Sequence, residues 1–165
     1  MTLDFIYKRR SVRKFKPDKV SDELVTELLK AAMAAPSGNN SQPWEFIVVR
    51  DEAKRFEITK HHQYAQMAKE SPVVIVVLGK KSEKWHIQDC SAATENLLVA
   101  AANLGLGAVW CGMDEKRQTG IKILLNVPDD YWVISLIPVG YPKETPPPRT
   151  QYTPKKIHLE TYSSR

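Results

Sequence analysis

The segment Arg9-Arg10-Ser11-Val12-Arg13 places three guanidinium groups and one hydroxyl within five positions. Guanidinium groups bind phosphate oxygens through charge-assisted hydrogen bonds, and a serine hydroxyl adds a further donor. The segment therefore favours a site for a small, strongly anionic group such as a phosphate. A solvated basic surface is equally compatible with these residues taken alone.

A second candidate is the loop at 36–43, where two prolines restrain the backbone around a run of polar and small residues. The run consists of Ser37, Gly38, Asn39, Asn40, Ser41 and Gln42. Donors and acceptors held in this way suit the polar edge of a planar heterocycle. The alternative is an ordinary loop whose side chains cap the neighbouring elements.

Several common motifs are missing from the sequence. The stretch 105–110 begins Gly-x-Gly but has Trp110 where a dinucleotide fingerprint has its third glycine, and no Gly-Lys-Ser/Thr run forms a P-loop. No G-x-S-x-G elbow surrounds Ser37, so hydrolysis has no support. Four residues could ligate zinc by type but lack the spacing of a zinc site: His61, His62, Cys90 and Cys111.

The positive charge is concentrated at the start of the chain. Residues 1–20 hold seven basic and two acidic side chains, a local balance of +5 that equals the net charge of the whole chain. A nucleic-acid-binding protein usually spreads basic residues over a broad surface, whereas one cluster on an otherwise neutral chain fits a small anionic ligand at least as well. We therefore expect a small-molecule ligand and no nucleic acid. A small nucleic-acid-binding domain that uses residues 8–19 is the less favoured alternative.

Length and composition predict one soluble domain spanning residues 1–165. The chain is 42% hydrophobic and 26% charged, and its two cysteines are too few for a secreted disulfide scaffold. Its longest apolar run, Val73–Leu78, is far shorter than the roughly 20 residues that span a bilayer. The N-terminus lacks the pattern of a signal peptide, so the expected location is cytoplasmic, with no membrane association.

The apolar pattern predicts three main helices and four strands. The helices are expected at 21–35, 85–104 and 114–125, and the strands at 44–49, 73–78, 107–112 and 132–139. A short helix is expected before Arg9, and a charged amphipathic stretch at 51–69. The uniformly apolar strands at 73–78 and 132–139 are expected to be covered on both faces.

Two features predict a second subunit. The helix at 85–104 is apolar over most of its circumference, so part of the surface that covers it is expected to come from another chain. Residues 142–154 contain five of the 11 prolines, which favours an extended, stiff tail that could reach a neighbouring subunit.

Four segments in order make the chain resemble the nitroreductase family of FMN-dependent oxidoreductases. They are Arg9–Phe15, Ala35–Trp44, Glu95–Gly107 and Ile137–Pro142. The resemblance covers essentially the whole chain. It implies an α+β fold in which helices flank a mixed, largely antiparallel central sheet. It also implies a homodimer with FMN at the subunit interface and an extended C-terminal tail that reaches the partner.

The resemblance also implies which residues bind the flavin. Arg9 and Ser11 correspond to residues at the phosphate and ribityl chain, and Arg13 to a cation at the pyrimidine edge. Arg10 is included among the cofactor-binding residues, with a plain surface charge as the alternative. Arg149 corresponds to a late basic residue at the phosphate. A further set is implied around the ring and includes a loop that reaches the partner's flavin: Pro36, Ser37, Gly38, Asn40, Gln42, Gln63, Gln66, Trp110, Cys111 and Gly112.

In the segment at Trp110, Cys111 and Gly112, the family pattern implies a backbone N–H directed at flavin N5. Larger members often have an acid at the position of Cys111, and they carry a long helical excursion over the active site that this chain lacks. The substrate pocket is therefore expected to be open or built differently.

The implied reaction begins with hydride transfer from NAD(P)H to flavin N5. The oxidised donor then leaves, and a nitroaromatic, a quinone or a similar electron-poor acceptor takes its place over the same ring, which is a ping-pong mechanism. The flavin carries the chemistry, so no catalytic side chain and no metal are assigned. The alternative is a protein that binds or handles flavin with little reductase turnover.

Overall fold

The structure, a computed structural model, describes residues 3–162 and folds this part of the chain into five helices and five strands. The helices are α1 (Asp4–Tyr7), α2 (Asp22–Met33), α3 (Glu52–His61), α4 (His86–Asn103) and α5 (Glu115–Leu125). The strands are β1 (Trp44–Val49), β2 (Val73–Lys80), β3 (Gly107–Ala108), β4 (Cys111–Gly112) and β5 (Tyr131–Gly140). Short 3₁₀ turns lie at Gly38–Asn40, Gln66–Lys69 and Pro154–Lys156.

The strands form one sheet in which β5 is central. The order is β1-β2-β5-β3, all neighbours are antiparallel, and β4 also pairs with β5. A parallel bridge joins Ser11 to Ala108, so the margin of the sheet is mixed. The predicted α+β fold, with a mixed, largely antiparallel sheet flanked by helices, is confirmed.

β2 is buried on both faces, as its continuous apolar sequence predicts. Because successive side chains of a strand point to opposite faces, Val73, Ile75 and Val77 pack with α2 and α4. Val74, Val76 and Leu78 pack on the other face, with residues of α3 and α5. The sheet therefore separates two apolar cores.

Helix starts follow local chemistry in the sequence. The side chains of Ser21, Asp51 and Asp114 each accept a hydrogen bond from the backbone N–H three residues later, at 3.3, 2.8 and 3.1 Å. Such caps satisfy N–H groups that have no partner within the helix. The helices predicted to begin near Ser21 and Asp114 are confirmed.

The structure splits two of the predicted elements. The amphipathic stretch 51–69 is split into α3 and a 3₁₀ turn, and the strand predicted at 107–112 is split into β3 and β4. α4 lies in the predicted place, but only one side of it is fully buried within the chain, and Ile87 is half exposed. A short apolar pattern shows that a segment is buried but does not show where the chain must turn between two short pairings.

Gln118 of α5 closes the edge of β5 beyond β4. Its side chain donates from Nε2 to the carbonyl of Val133 at 2.7 Å, and its Oε1 accepts from the Val133 N–H at 2.9 Å. The strand carries a bulge here, since Val77 pairs with Ser135 whereas Leu78 pairs with Val133. A buried side-chain amide thus takes the place of a strand residue.

The segment after β5 runs back along the N-terminal segment of the same chain. Lys16 N–H donates to Tyr141 O at 2.8 Å, Lys143 N–H to Lys14 O at 3.0 Å, and Arg149 N–H to Tyr7 O at 3.2 Å. The segment is extended, as its prolines predict, and its approach to a partner subunit stays a prediction. Between residues 3 and 162, no helix is long and apolar enough to cross a membrane.

Candidate functional site

The segment 9–13 is extended and lies along β3. Val12 N–H donates to Ala108 O at 2.9 Å, and the buried Val12 side chain packs on Gly107. A Cβ added to Gly107 would lie 2.6 Å from Val12 Cγ1, closer than two carbon atoms can pack. Glycine at this position therefore lets the arginine-rich segment approach the sheet.

Alternation along this extended segment separates its arginines. Arg9 forms an ion pair with Glu95 of α4, with 3.1 Å between Nε and Oε1. Arg10 instead donates from Nη1 to the carbonyl of Pro147. Together with Lys8 it lines a recess that Arg9 does not line. The prediction groups Arg10 with its neighbours, whereas the structure places it against the proline-rich tail.

Arg13 and Gln66 lie on one recess of 370 Å³, although 52 residues separate them in the sequence. The same recess is lined by Lys14, Met67, Lys69, Glu70 and Lys143. Gln66 donates from Nε2 to Thr59 O at 2.9 Å, which leaves its Oε1 as an acceptor. Gln63 is exposed in the turn before this region. The predicted pair of Arg13 and Gln66 is brought together.

Gly112 presents a backbone donor on the outer edge of β4. Val109 N–H donates to Pro138 O and Met113 N–H to Ile134 O, both at 3.3 Å. Cys111 lies midway between Val109 and Met113, so its own N–H and C=O also face β5. Because the direction of these groups alternates along a strand, the N–H and C=O of Gly112 point away from β5. Of Cys111 and Gly112, it is therefore Gly112 whose N–H is directed outward.

Cys111 is a buried thiol beside this edge. Burial raises its pKa to about 11, and the nearby Arg13 guanidinium opposes that rise. Its Sγ lies 3.6 Å from Tyr64 O and 3.9 Å from Met67 Sδ. The thiol is therefore neutral at physiological pH, and a neutral thiol is a poor nucleophile.

The sequence patterns give His62 no part in the site, yet it contacts the Gly112 backbone. The side chain is only 1% exposed, and its Nε2 lies 2.9 Å from Gly112 O. The two residues are 50 positions apart, and the sequence shows His62 only as one of two adjacent histidines. No sequence signal identifies this contact.

The loop at 36–42 is held by its own side chains and by the start of α4. Ser37 Oγ accepts from Gln42 N–H at 3.1 Å, and Gln42 Nε2 donates to Asn40 Oδ1 at 3.0 Å. Gly38 N–H donates to Asp89 Oδ2 at 3.1 Å, and a Cβ on Gly38 would lie 2.6 Å from the Trp85 ring. The loop is thus held in place, at a different point on α4 from the Arg9–Glu95 pair.

Arg149 approaches the arginine-rich segment from the other end of the chain. Its backbone N–H donates to Tyr7 O, two residues before Arg9. The structure thus brings the backbones of these two predicted phosphate-binding regions together.

The fold is that of a known class of proteins. The sequence profile of the Nitroreductase family matches residues 6–69 and 54–141. The chain belongs to the nitroreductase family.

Individual relatives agree with this assignment. A Methanothermobacter thermautotrophicus protein, provisionally named NADH dehydrogenase/NAD(P)H nitroreductase, is 43% identical over 97% of this chain and 87% of its own length. A Parabacteroides distasonis crystal structure with the same provisional name has a TM-score of 0.94 at 38% identity, covering 97% and 98% of the two chains. An FMN-dependent nitroreductase from Clostridium difficile has a TM-score of 0.91 at 31% identity, covering 98% and 100%.

Proposed function

We propose that this protein is an FMN-dependent oxidoreductase that passes a hydride from NAD(P)H to a small electron-poor acceptor such as a nitroaromatic or a quinone. The observation that carries the proposal is that Arg13 lines one recess with Gln66 and also lies near Cys111, the residue before the outward-facing Gly112. These groups come from separate parts of the sequence. We assign Arg13 to the pyrimidine edge, Gln66 to N3–H and Gly112 to N5 of a flavin ring.

The donor set fits each polar part of the flavin ring system. Arg13 offers a cation to N1 and O2 of the pyrimidine, where negative charge collects when the ring is reduced. Gln66 Oε1 is an acceptor suited to N3–H, because Nε2 is engaged by Thr59. Gly112 N–H is a donor suited to N5. No titratable side chain is required for the transfer itself.

The phosphate end is assigned to Arg9, Ser11 and Arg149. The hydrogen bond from Arg149 N–H to Tyr7 O brings the backbone of Arg149 beside the segment that carries Arg9 and Ser11. Guanidinium groups from both ends of the chain would then bind one phosphate through charge-assisted hydrogen bonds. The Arg9–Glu95 pair orients the first of them.

Bound FMN would supply the centre that accepts the hydride and later donates it. Donor and acceptor would use the same ring face in turn, which is consistent with the lack of a dinucleotide fingerprint. The FMN-dependent name of the C. difficile relative supports this choice of cofactor.

We also propose a homodimer with FMN at its interface. In the single chain, loop 36–42 contacts the start of α4 and the arginine-rich segment contacts its middle. An open recess of 500 Å³ between α1, α2 and α4 is lined largely by apolar residues, and Phe5 and Ile6 on it are nearly half exposed. A second copy would cover this surface and bring its own loop 36–42 toward the flavin.

The test is anaerobic rapid mixing of the FMN-loaded protein with NADH and with NADPH, monitored by loss of flavin absorbance. A reductase bleaches its flavin within one turnover with at least one donor, and menadione or a nitrobenzoate then restores the colour. Double-reciprocal plots at several acceptor concentrations should be parallel. FMN binding without reduction by either donor would favour the flavin-handling alternative.

A further inference from the structure

His62 is a polar side chain buried beside β4. Its ring is 1% exposed, and within residues 3–162 its Nδ1 is a buried polar atom without a hydrogen-bond partner. Buried polar atoms of this kind are rare and require an explanation. The other ring nitrogen, Nε2, lies 2.9 Å from Gly112 O.

The direction of this hydrogen bond follows from chemistry. A carbonyl oxygen only accepts, so Nε2 must carry the hydrogen and donate it. In the neutral ring Nδ1 is then the unprotonated nitrogen. The single polar function that His62 performs is thus to hold the carbonyl of Gly112.

Gly112 is the residue whose orientation matters for the flavin. Its N–H and C=O both point away from β5, so neither is fixed by the sheet. Glycine also lacks the Cβ that restricts other residues. His62 binds the carbonyl and leaves the N–H as the free donor of Gly112 on this edge.

The end of α3, directly before His62, is closely packed. His61, the last residue of α3, lies against Gly120 of α5, where an added Cβ would be 2.3 Å from Nδ1 of its ring. This contact fixes the end of α3, and His62 follows it directly. His61 therefore packs α3 against α5, whereas His62 holds β4.

We propose that His62 is a positioning residue that orients the Gly112 backbone so that its N–H is presented to flavin N5. The inference rests on the proposed function. His62 does not touch the flavin in this scheme; it acts through Gly112. Its loss should change the reactivity of bound flavin much more than the affinity for it.

The test compares His62→Gln with His62→Asn. The glutamine amide reaches Gly112 O as the imidazole does, whereas asparagine is one methylene too short. We expect the asparagine variant to reduce its bound flavin about tenfold more slowly with NADH, the effect of losing one well-placed hydrogen bond. It should also lower the flavin reduction potential, and the glutamine variant should stay close to wild type. His86→Ala is the matched control, because it removes a histidine ring that contacts a backbone carbonyl, that of Glu83, away from β4.

A second measurement does not depend on turnover. The chain has seven glycines, so protein labelled with ¹⁵N-glycine gives a simple amide spectrum. FMN should shift the Gly112 resonance of wild type, and His62→Asn should shift it in the apoprotein. If His62→Asn does not fold, two results decide: the glutamine variant should stay close to wild type in rate and potential, and FMN should shift the Gly112 resonance of wild type.

The possible failures are distinguishable. If FMN binds and is reduced, but Gly112 does not respond to FMN or the asparagine variant keeps wild-type rate and potential, the role of His62 is wrong. If FMN shifts none of the glycines and no flavin binds, the proposed function is wrong.

Discussion

Arg13 is the cation assigned to the flavin ring in the proposed site. It lines the recess shared with Gln66 and lies close enough to Cys111 to oppose the rise in that thiol's pKa. Lys14 beside it lines the same recess, but its charge is paired with Glu144, with 3.3 Å between Nζ and Oε2.

Arg13→Ala should lower the reduction potential of bound FMN. A hydrogen bond to a charged group contributes about 1.5–3 kcal/mol, which for a two-electron couple corresponds to about 30–60 mV. The measurement is a redox titration against a reference dye. Lys14→Ala is the comparison and should lower the potential less, because Glu144 already pairs with that cation; an equal shift in both variants would mean that only general surface charge is felt.

The extended segment 9–13 depends on β3 for its position. Its contacts with the sheet include the bridge between Ser11 and Ala108 and the packing of Val12 on Gly107. A side chain at position 107 would push the segment away from the sheet and move Arg9 and Arg13, which belong to the proposed site.

Gly107→Ala should destabilise the fold by about 1–3 kcal/mol through overpacking, and it should weaken FMN binding. Adding Val12→Ala in the same chain removes the colliding methyl groups and should restore part of both properties. Urea unfolding and FMN titration measure the two effects. A double variant no better than the single one would show that the contact with Val12 is not the cause.

Local patterns predicted the elements well where one physical rule dominates. The run at 73–78 predicted burial on both faces of β2, and Ser21 and Asp114 predicted helix starts because capping is local. The opposite directions of Arg10 and Arg9 follow from strand alternation, which the sequence pattern alone did not assign. The contact between His62 and Gly112 joins residues 50 apart and needs the tertiary structure.

At the level of the whole molecule, the two sides of the sheet are not covered alike. The side that carries α1, α2 and α4 exposes apolar residues around an open recess, including Phe5 and Ile6. On the other side, Phe56 of α3 is 50% exposed and Ile123 of α5 is 73% exposed. Scattered exposed apolar residues are ordinary, whereas a continuous apolar recess is typical of an interface.

The double change Phe5→Asp and Ile6→Asp should yield monomers and reduce FMN affinity by at least about tenfold, because the partner's loop 36–42 would be lost. Light scattering after gel filtration gives the mass, and fluorescence quenching gives the affinity. Ile123→Asp should change neither. A charged variant that stays dimeric and binds FMN normally would place the interface elsewhere.

The double hydrogen bond from Gln118 to Val133 has a consequence for how copies of this protein can meet. With β3, β4 and then a side-chain amide along it, β5 offers no free run of backbone to an incoming strand. Unwanted strand addition between molecules, the first step of many aggregation processes, would have to occur at the far margin of the sheet, along β1.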